Sequence, residues 1–253
     1  MSDGVSGRPG ELAASLKAVR TRIAAACSAA GRDPAEITLI AVTKTYPASD
    51  VLALASLGLR DFGENRDQEA APKAAAVAAA DAPVTWHFIG QLQGNKASHV
   101  ARYADVVHSV DRNRLVRALS AAVLAAPPGG GADGDTERGT GEASLTCLVQ
   151  VSLDGDVSRG GVPADGLLEV ARAIEAAPGL ALGGLMAVAP LEADPRAVFA
   201  PLRELSATLQ SVTPSATVIS AGMSGDLEAA IASGATHLRI GTALLGNRRL
   251  PVR

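Results

Sequence analysis

Residues 37–47 read ITLIAVTKTYP. The first seven are mostly apolar and rich in β-branched side chains, the pattern of a strand buried on both faces. The residues after that strand decide the fold. An open doubly wound sheet carries a glycine-rich phosphate loop after its first strand; here the position holds Lys44-Thr45-Tyr46-Pro47. The chain is therefore read as a closed barrel.

Working outward, short apolar runs alternate with amphipathic ones. Upstream, 11–30 predicts a helix: Leu12, Leu16, Val19 and Ile23 recur at helical spacing and Gly31 stops it. Downstream, strands are predicted at 60–63, 85–89, 106–110, 145–152, 182–188, 217–220 and 237–240. Helices are predicted at 50–57, capped by Ser49 and stopped by Gly58, and at 66–80 and 96–103. Others come at 112–124 capped by Asp111, and at 164–176, 195–209 and 225–233. Eight strands with intervening helices in 253 residues imply an α/β fold, a single (β/α)8 TIM barrel with one extra N-terminal helix. The whole chain, 1–253, is read as one domain. Residues 127–141 (PPGGGADGDTERGTG) lack apolar periodicity and are expected to be a disordered surface loop.

Composition narrows the function. Hydrophobic residues are 47% and aromatic residues 2%, which supports a sizeable core and argues against base or glycan readers that work by stacking. With 23 basic and 26 acidic residues the formal charge is −3, so no nucleic-acid or acidic-membrane surface is expected. Cys27 and Cys147 form no CxxC pair and are expected to be buried reduced thiols. The four histidines lack metal-ligand spacing. The polar, glycine-rich residues 1–10 and the absence of a long apolar stretch predict a soluble cytoplasmic protein. Only four of the basic residues are lysines: Lys17, Lys44, Lys73 and Lys96.

In such a barrel the chemistry lies at the C-terminal ends of the strands. Lys44, directly after the first strand, would point into the mouth, where a partly desolvated amine can attack a carbonyl. Its alternatives are a snorkelling lysine or one paired with Glu64. After the seventh strand, Ser224-Gly225-Asp226 opens a helix whose N–H groups can hold an anion; after the eighth, Gly241-Thr242 offers backbone access and a hydroxyl. A phosphate anchor facing an amine suits a phosphorylated aldehyde held as an imine, either pyridoxal 5′-phosphate (PLP) or the substrate of a sugar-phosphate aldolase.

Five motifs in order, AVTKTYP (41–47), FGENRDQE (62–69), WHFIGQLQGNK (86–96), SAGMSGDLEAAI (220–231) and RIGTALLG (239–246), resemble the pyridoxal phosphate homeostasis protein family, also called the YggS or PROSC family. The resemblance runs from Ile37 to Gly246. It implies a barrel similar to the N-terminal domain of bacterial alanine racemase. It also implies that Lys44 binds PLP as a Schiff base and Asn65 lies near the ring. His87 would sit beneath or beside the cofactor, with Ser220 and Met223 lining the pyridine side and Arg239 reaching in from the eighth strand. Ser224, Gly241 and Thr242 would bind the phosphate. Two positions depart from the family pattern: Tyr46 and Arg159 stand where many members carry lysines that could transfer or secondarily hold PLP.

The resemblance implies a carrier or regulator in vitamin B6 and amino-acid homeostasis with no strong catalytic activity, so no catalytic residue is assigned. Its partners would be PLP and, as candidate recipients, PLP-dependent apo-enzymes; the chain is read as a monomer. The alternative is a PLP-dependent enzyme such as an amino-acid racemase. That chemistry needs a second proton carrier, often tyrosine, and the chain has only Tyr46 and Tyr103. A second β domain of the racemase kind is not expected either.

Overall fold

The computed structural model describes residues 7–126, 145–156, 160–190 and 192–246. The segment 127–141 and Arg159 lie outside these. Eight parallel strands close on themselves in chain order: β1 (Thr38–Val42), β2 (Asp61–Glu64), β3 (Thr85–Phe88), β4 (Val106–Val110), β5 (Leu145–Val151), β6 (Leu180–Ala187), β7 (Val218–Ser220) and β8 (His237–Ile240). Closure runs through β1 and β8, where Ile40 pairs with Arg239. Strands on both sides of the 127–144 segment belong to this one closed sheet, as the alternation of patterns predicts.

The helices are α1 (Arg8–Ala29), α2 (Ala48–Ser56), α3 (Asp67–Ala78), α4 (Ala97–Val100), α5 (Asn113–Ala125), α6 (Leu167–Glu175), α7 (Pro195–Phe199), α8 (Leu202–Gln210), α9 (Leu227–Ala232) and α10 (Thr242–Leu245). The main hydrophobic core lies between helices and barrel. It joins Leu12, Leu16, Val19 and Ile23 of α1 to outward-facing strand residues such as Leu39, Phe62 and Val107. Each such aliphatic side chain contributes about 1.5–3 kcal/mol by leaving water. Residues of opposite parity on the strands point into the barrel. Ile40, Leu148 and Met186 are buried there, apart from the core under the helices. Cys27 and Cys147 are free, buried thiols, and burial pushes the Cys147 thiol up to about 12. No described helix is long and apolar enough to cross a membrane.

Helix α1 is tied to both ends of the barrel sequence. Arg8 donates to Asp50 of α2 at 2.7 Å and to the Leu245 carbonyl of α10 at 2.9 Å. Arg22 pairs with Glu228 of α9, and Arg32, in the turn that follows α1, donates to the carbonyls of Ile231 and Ala235.

Several helix starts differ from the sequence reading. Ser49 does not cap α2; Pro47 occupies the cap and Ser49 lies inside the helix, because the fixed φ of Pro47 already sets the entry. Asp111 does not cap α5, whose N-cap is Arg112. The Asp111 carboxylate instead pairs with Arg112 and accepts the Gly161 N–H. The predicted helix at 195–209 is two helices, α7 and α8, broken at Pro201, which has no N–H to donate. At 96–103 a 3-10 turn, Gly94–Lys96, leads into the short α4. The helix after β7 starts at Leu227 rather than Gly225, because Asp226 folds back to accept the Met223 N–H.

Candidate binding site at the mouth of the barrel

Lys44 comes just after the last residues of β1 and is exposed, with no ion pair or hydrogen bond through its amine among the described residues. The turn that carries it is held from both sides. Thr45 has φ +70°, a left-handed conformation that a β-branched residue adopts only at a cost. Its N–H donates to Glu69 at 2.9 Å. The residue before Lys44, Thr43, is buried and donates its hydroxyl to Glu64 at 2.7 Å, while its carbonyl accepts from Lys73 at 2.8 Å. Lys73 and Glu64 form a buried ion pair. Glu64 is therefore the partner of Lys73, not of Lys44. Burial pushes its carboxyl upward, against the opposing pull of Lys73 and Thr43.

The β8 end lies beside β1. A side chain on Gly241 would meet Val42 at 3.5 Å, which places Gly241 and the exposed Thr242 next to the strand that carries Lys44. The loops after β7 and β8 are joined: the Ala243 N–H donates to the Ser224 hydroxyl oxygen at 3.2 Å, leaving that hydroxyl's own hydrogen for another acceptor. Arg22 fixes the Ser224 carbonyl at 2.7 Å. Gly222 has φ +90°, and a side chain there would press on Ala230 at 2.6 Å, so this turn requires glycine. Met223 is partly buried; its backbone N–H donates to the Asp226 carboxylate and its carbonyl accepts the Asp226 N–H at 3.3 Å. Asn65 is partly buried at the end of β2. Its carbonyl oxygen lies 2.1 Å from where a side chain on Gly90 would begin, so the WHFIG motif ends in glycine for lack of space.

Beneath this mouth the barrel interior is polar. Arg239 is buried and donates to the Ser220 hydroxyl at 2.6 Å and to the Ala187 carbonyl at 2.9 Å. No carboxylate touches it among the described residues, and burial lowers its guanidinium to about 10. Ser220 lies 2.9 Å from His108 Nδ1; His108 Nε2 lies 2.9 Å from His87 Nδ1; His87 Nε2 lies 3.0 Å from Asp61. His87 thus sits below the mouth and reaches Arg239 through two intermediates. Burial first, then the nearby imidazoles and Arg239, hold His108 well below the ordinary imidazole range. His237, 6.4 Å from His87 between ring centroids, is lowered to about 4, mainly by burial.

The sequence places Lys44, Asn65, His87, Ser220, Met223, Ser224, Arg239, Gly241 and Thr242 at strand ends or inside the barrel, and the structure puts them at those positions. Direct bonds connect Ser220 to Arg239 and the Ser224 loop to α10. Asp61, Lys73 and His108 were missed. His108 could have been found by its parity with Val106, since the two flank the outward-facing Val107; a register shift between Val107 and Val110 then returns Val110 to the outer face. Lys73 shares the buried stripe Ala70, Ala74, Val77 at helical spacing. No described group of His, Cys, Asp or Glu could hold a metal ion.

The interior histidines set an acid limit. Below pH about 6.5 the unfolded chain takes up protons that buried neutral His237 and His108 cannot. Their contribution to stability is fully present above that pH and is lost as pH falls toward about 4. His237→Gln should therefore lose less thermal stability than the parent between pH 7 and 5, the difference approaching about 1.4 kcal/mol per pH unit for one proton. Parallel melting-temperature profiles for the two proteins would count against this reading of His237.

A family model for the N-terminal domain of alanine racemase matches residues 14–249. The pyridoxal phosphate homeostasis protein of Mycobacterium tuberculosis is 45% identical over 254 residues, covering 96% of this chain and 95% of that protein. The crystal structure of an unknown protein from Bifidobacterium adolescentis matches with a TM-score of 0.82 at 31% identity, covering 96% of this chain and 97% of that one. The structure of PipY from Synechococcus elongatus PCC7942 with PLP bound matches with a TM-score of 0.75 at 32% identity, covering 93% of this chain and 100% of that one.

Proposed function

The chain belongs to the pyridoxal phosphate homeostasis protein family, and from that membership and the geometry of the barrel mouth we propose that it binds PLP covalently through Lys44 and acts as a PLP carrier or regulator. The observation that carries this reading is the position of the Lys44 amine: exposed, without a partner among the described residues, and two residues beyond Val42, against which Gly241 packs. One barrel, taken as a single PLP-binding domain, then supplies both the amine and the phosphate loops.

The residues present fit the cofactor. Arg239 is a buried cation with a hydroxyl and a carbonyl as its bonded partners, so an electron-rich ring atom would suit its remaining hydrogens. The Ser224 hydroxyl hydrogen, the exposed Thr242 and the side-chain-free Gly241 and Gly225 leave room and donors for a phosphate. When bound, PLP supplies an electrophilic aldehyde carbon that condenses with an amine. Lys44 provides that amine, and the Thr43 anchorage to Glu64 and Lys73 fixes its point of attachment. Ser224, Gly241 and Thr242 would hold the phosphate. Ser220, Met223 and Arg239 would line the pyridine side, Asn65 would flank the ring, and His87 would lie beneath through His108.

The carrier reading is favoured over a racemase by the tyrosines. Tyr46 donates its hydroxyl to the Gly246 carbonyl at 2.6 Å, with Arg8 over its ring. Tyr103 is partly buried, its hydroxyl makes no hydrogen bond among the described residues, and burial, with Asp67 and Glu64, raises its phenol far above the usual range. The Tyr46 hydroxyl is engaged by a backbone carbonyl and the Tyr103 phenol is held neutral by burial, so neither is placed as the second proton carrier.

Purified protein should be yellow, and borohydride followed by peptide mapping should place the label on Lys44. A protein that stays colourless with added PLP overturns the proposal. Amino-acid turnover should stay at background with L-alanine and other amino acids. Robust racemisation that disappears in Tyr46→Phe would establish the enzyme reading instead.

A further inference from the structure

Resting on the proposed place of Arg239 at the pyridine side, we propose that Asp61, His87, His108 and Ser220 form a one-way hydrogen-bond relay through the barrel interior, in which a carboxylate at the foot orients the guanidinium below the mouth. Asp61 and His108 are then positioning residues for cofactor binding, acting through Ser220.

The polarity comes from donor and acceptor bookkeeping. A carboxylate only accepts, so the hydrogen in the 3.0 Å contact between Asp61 and His87 belongs to His87 Nε2. A neutral His87 then presents a bare Nδ1, and the hydrogen in the 2.9 Å contact with His108 must sit on His108 Nε2. A neutral His108 presents a bare Nδ1, which takes the hydroxyl hydrogen of Ser220 at 2.9 Å. The Ser220 oxygen is left to accept from Arg239 at 2.6 Å. All four bonds donate in one sense, from the cation to the anion. A doubly protonated His87 would keep its bond to Asp61 and reverse the two bonds between His87 and Ser220, but it would add a second positive charge to an interior that already holds Arg239 against one carboxylate.

The foot is open where the relay needs it. The Asp61 side chain is 26% exposed and lines a cavity of about 520 Å³ at the N-terminal ends of the strands, with Arg20, Thr38 and Arg60. His108, at the centre, is fully buried. His237 on β8 is the other titratable group near the foot; its own bond is to the Thr236 hydroxyl at 2.9 Å. Arg20 of α1 and Arg60 beside β2 are the cations of the cavity wall. Asp61 closes the chain from Arg239 and determines which way every hydrogen in it points. With its hydrogen committed to His108, Ser220 can only accept from any further group, and its grip on Arg239 sets the plane of the guanidinium.

The test is long-range nitrogen–proton NMR on the full chain, with and without PLP. Both His87 and His108 should carry their hydrogen on Nε2. An Nδ1 tautomer at either ring, or a doubly protonated His87, overturns the relay. This reading does not depend on PLP uptake, so its outcome and the failure of the carrier proposal are separable. For the coupling to the cofactor, Asp61→Asn should give mixed tautomers at His87 and roughly tenfold faster PLP dissociation, the size of one charge-assisted hydrogen bond. Ser220→Ala should accelerate dissociation similarly, and the double variant should add nothing further. Independent, additive effects would overturn the coupling. If Asp61→Asn fails to fold, the tautomers of the parent protein still decide the proposal.

Discussion

Lys44→Ala should abolish covalent PLP: no imine absorbance, no label after borohydride, and a colourless protein after gel filtration. The effect should be complete because among the described lysines only Lys44 combines exposure with a strand end in the mouth. Lys73 is buried against Glu64, and Lys96 lies 4.0 Å from Asp67. The fold should be untouched, since an exposed side chain without partners among the described residues contributes within about 0.5 kcal/mol to stability. Weaker, phosphate-dependent affinity should persist, because Ser224, Gly241, Thr242 and Arg239 are unchanged. Lys44→Arg is the sharper control: it keeps the positive charge but supplies no neutral amine at accessible pH, and it should be equally colourless. A label that survives in either variant would move the attachment point elsewhere.

Lys73→Met should have the largest effect on stability. It leaves Glu64, a fully buried carboxylate whose second oxygen already lacks a hydrogen-bond partner among the described residues, without its cation. Breaking a buried pair from one side costs about 3–5 kcal/mol, or roughly 6–20 °C of melting temperature for a domain of this size. The deficit should depend on pH in a defined direction. Burial already favours the protonated form of Glu64, so with Lys73 gone the fold takes up a proton more readily than the unfolded chain. The deficit is then largest at high pH and shrinks as the pH falls. Lys73→Met combined with Glu64→Gln should recover much of the loss. A deficit that is independent of pH, or unrelieved in the double variant, would remove the ion pair as its cause. The same lysine holds the Thr43 carbonyl, so the single variant should also loosen the Lys44 turn and slow PLP attachment.

The barrel was legible because parallel strands covered on both faces read as apolar runs, and the eight appear in the sequence with edges displaced by a residue or two. The helix starts were less legible. Pro47, Arg66 and Arg112 hold cap positions with no side-chain cap bond, so the usual Ser or Asp signal pointed to the wrong residue at Ser49 and Asp111. The strand-end positions of the candidate site could be read from order along the chain. Its supports could not. Lys73 looks like an ordinary helical lysine until α3 packs, and four histidines scattered from His87 to His237 carry no spacing signal. Register alone brings His87, His108 and His237 into one interior, because β3, β4 and β8 face each other only after the sheet has closed.

The ties of α1 have a consequence for how the protein is made. Arg8 is bonded to the Leu245 carbonyl, 237 positions later, and Arg22 and Arg32 reach partners about as remote. At about 5–20 residues per second, the ribosome delivers those partners roughly ten to fifty seconds after the helix itself emerges. During that interval the apolar stripe of α1 lacks α9 and α10, and β1 lacks β8. The first helix is thus fully docked only when the C-terminal elements have formed, and a nascent chain stalled before α9 leaves the part of α1 that α9 and α10 cover open to chaperones and proteases.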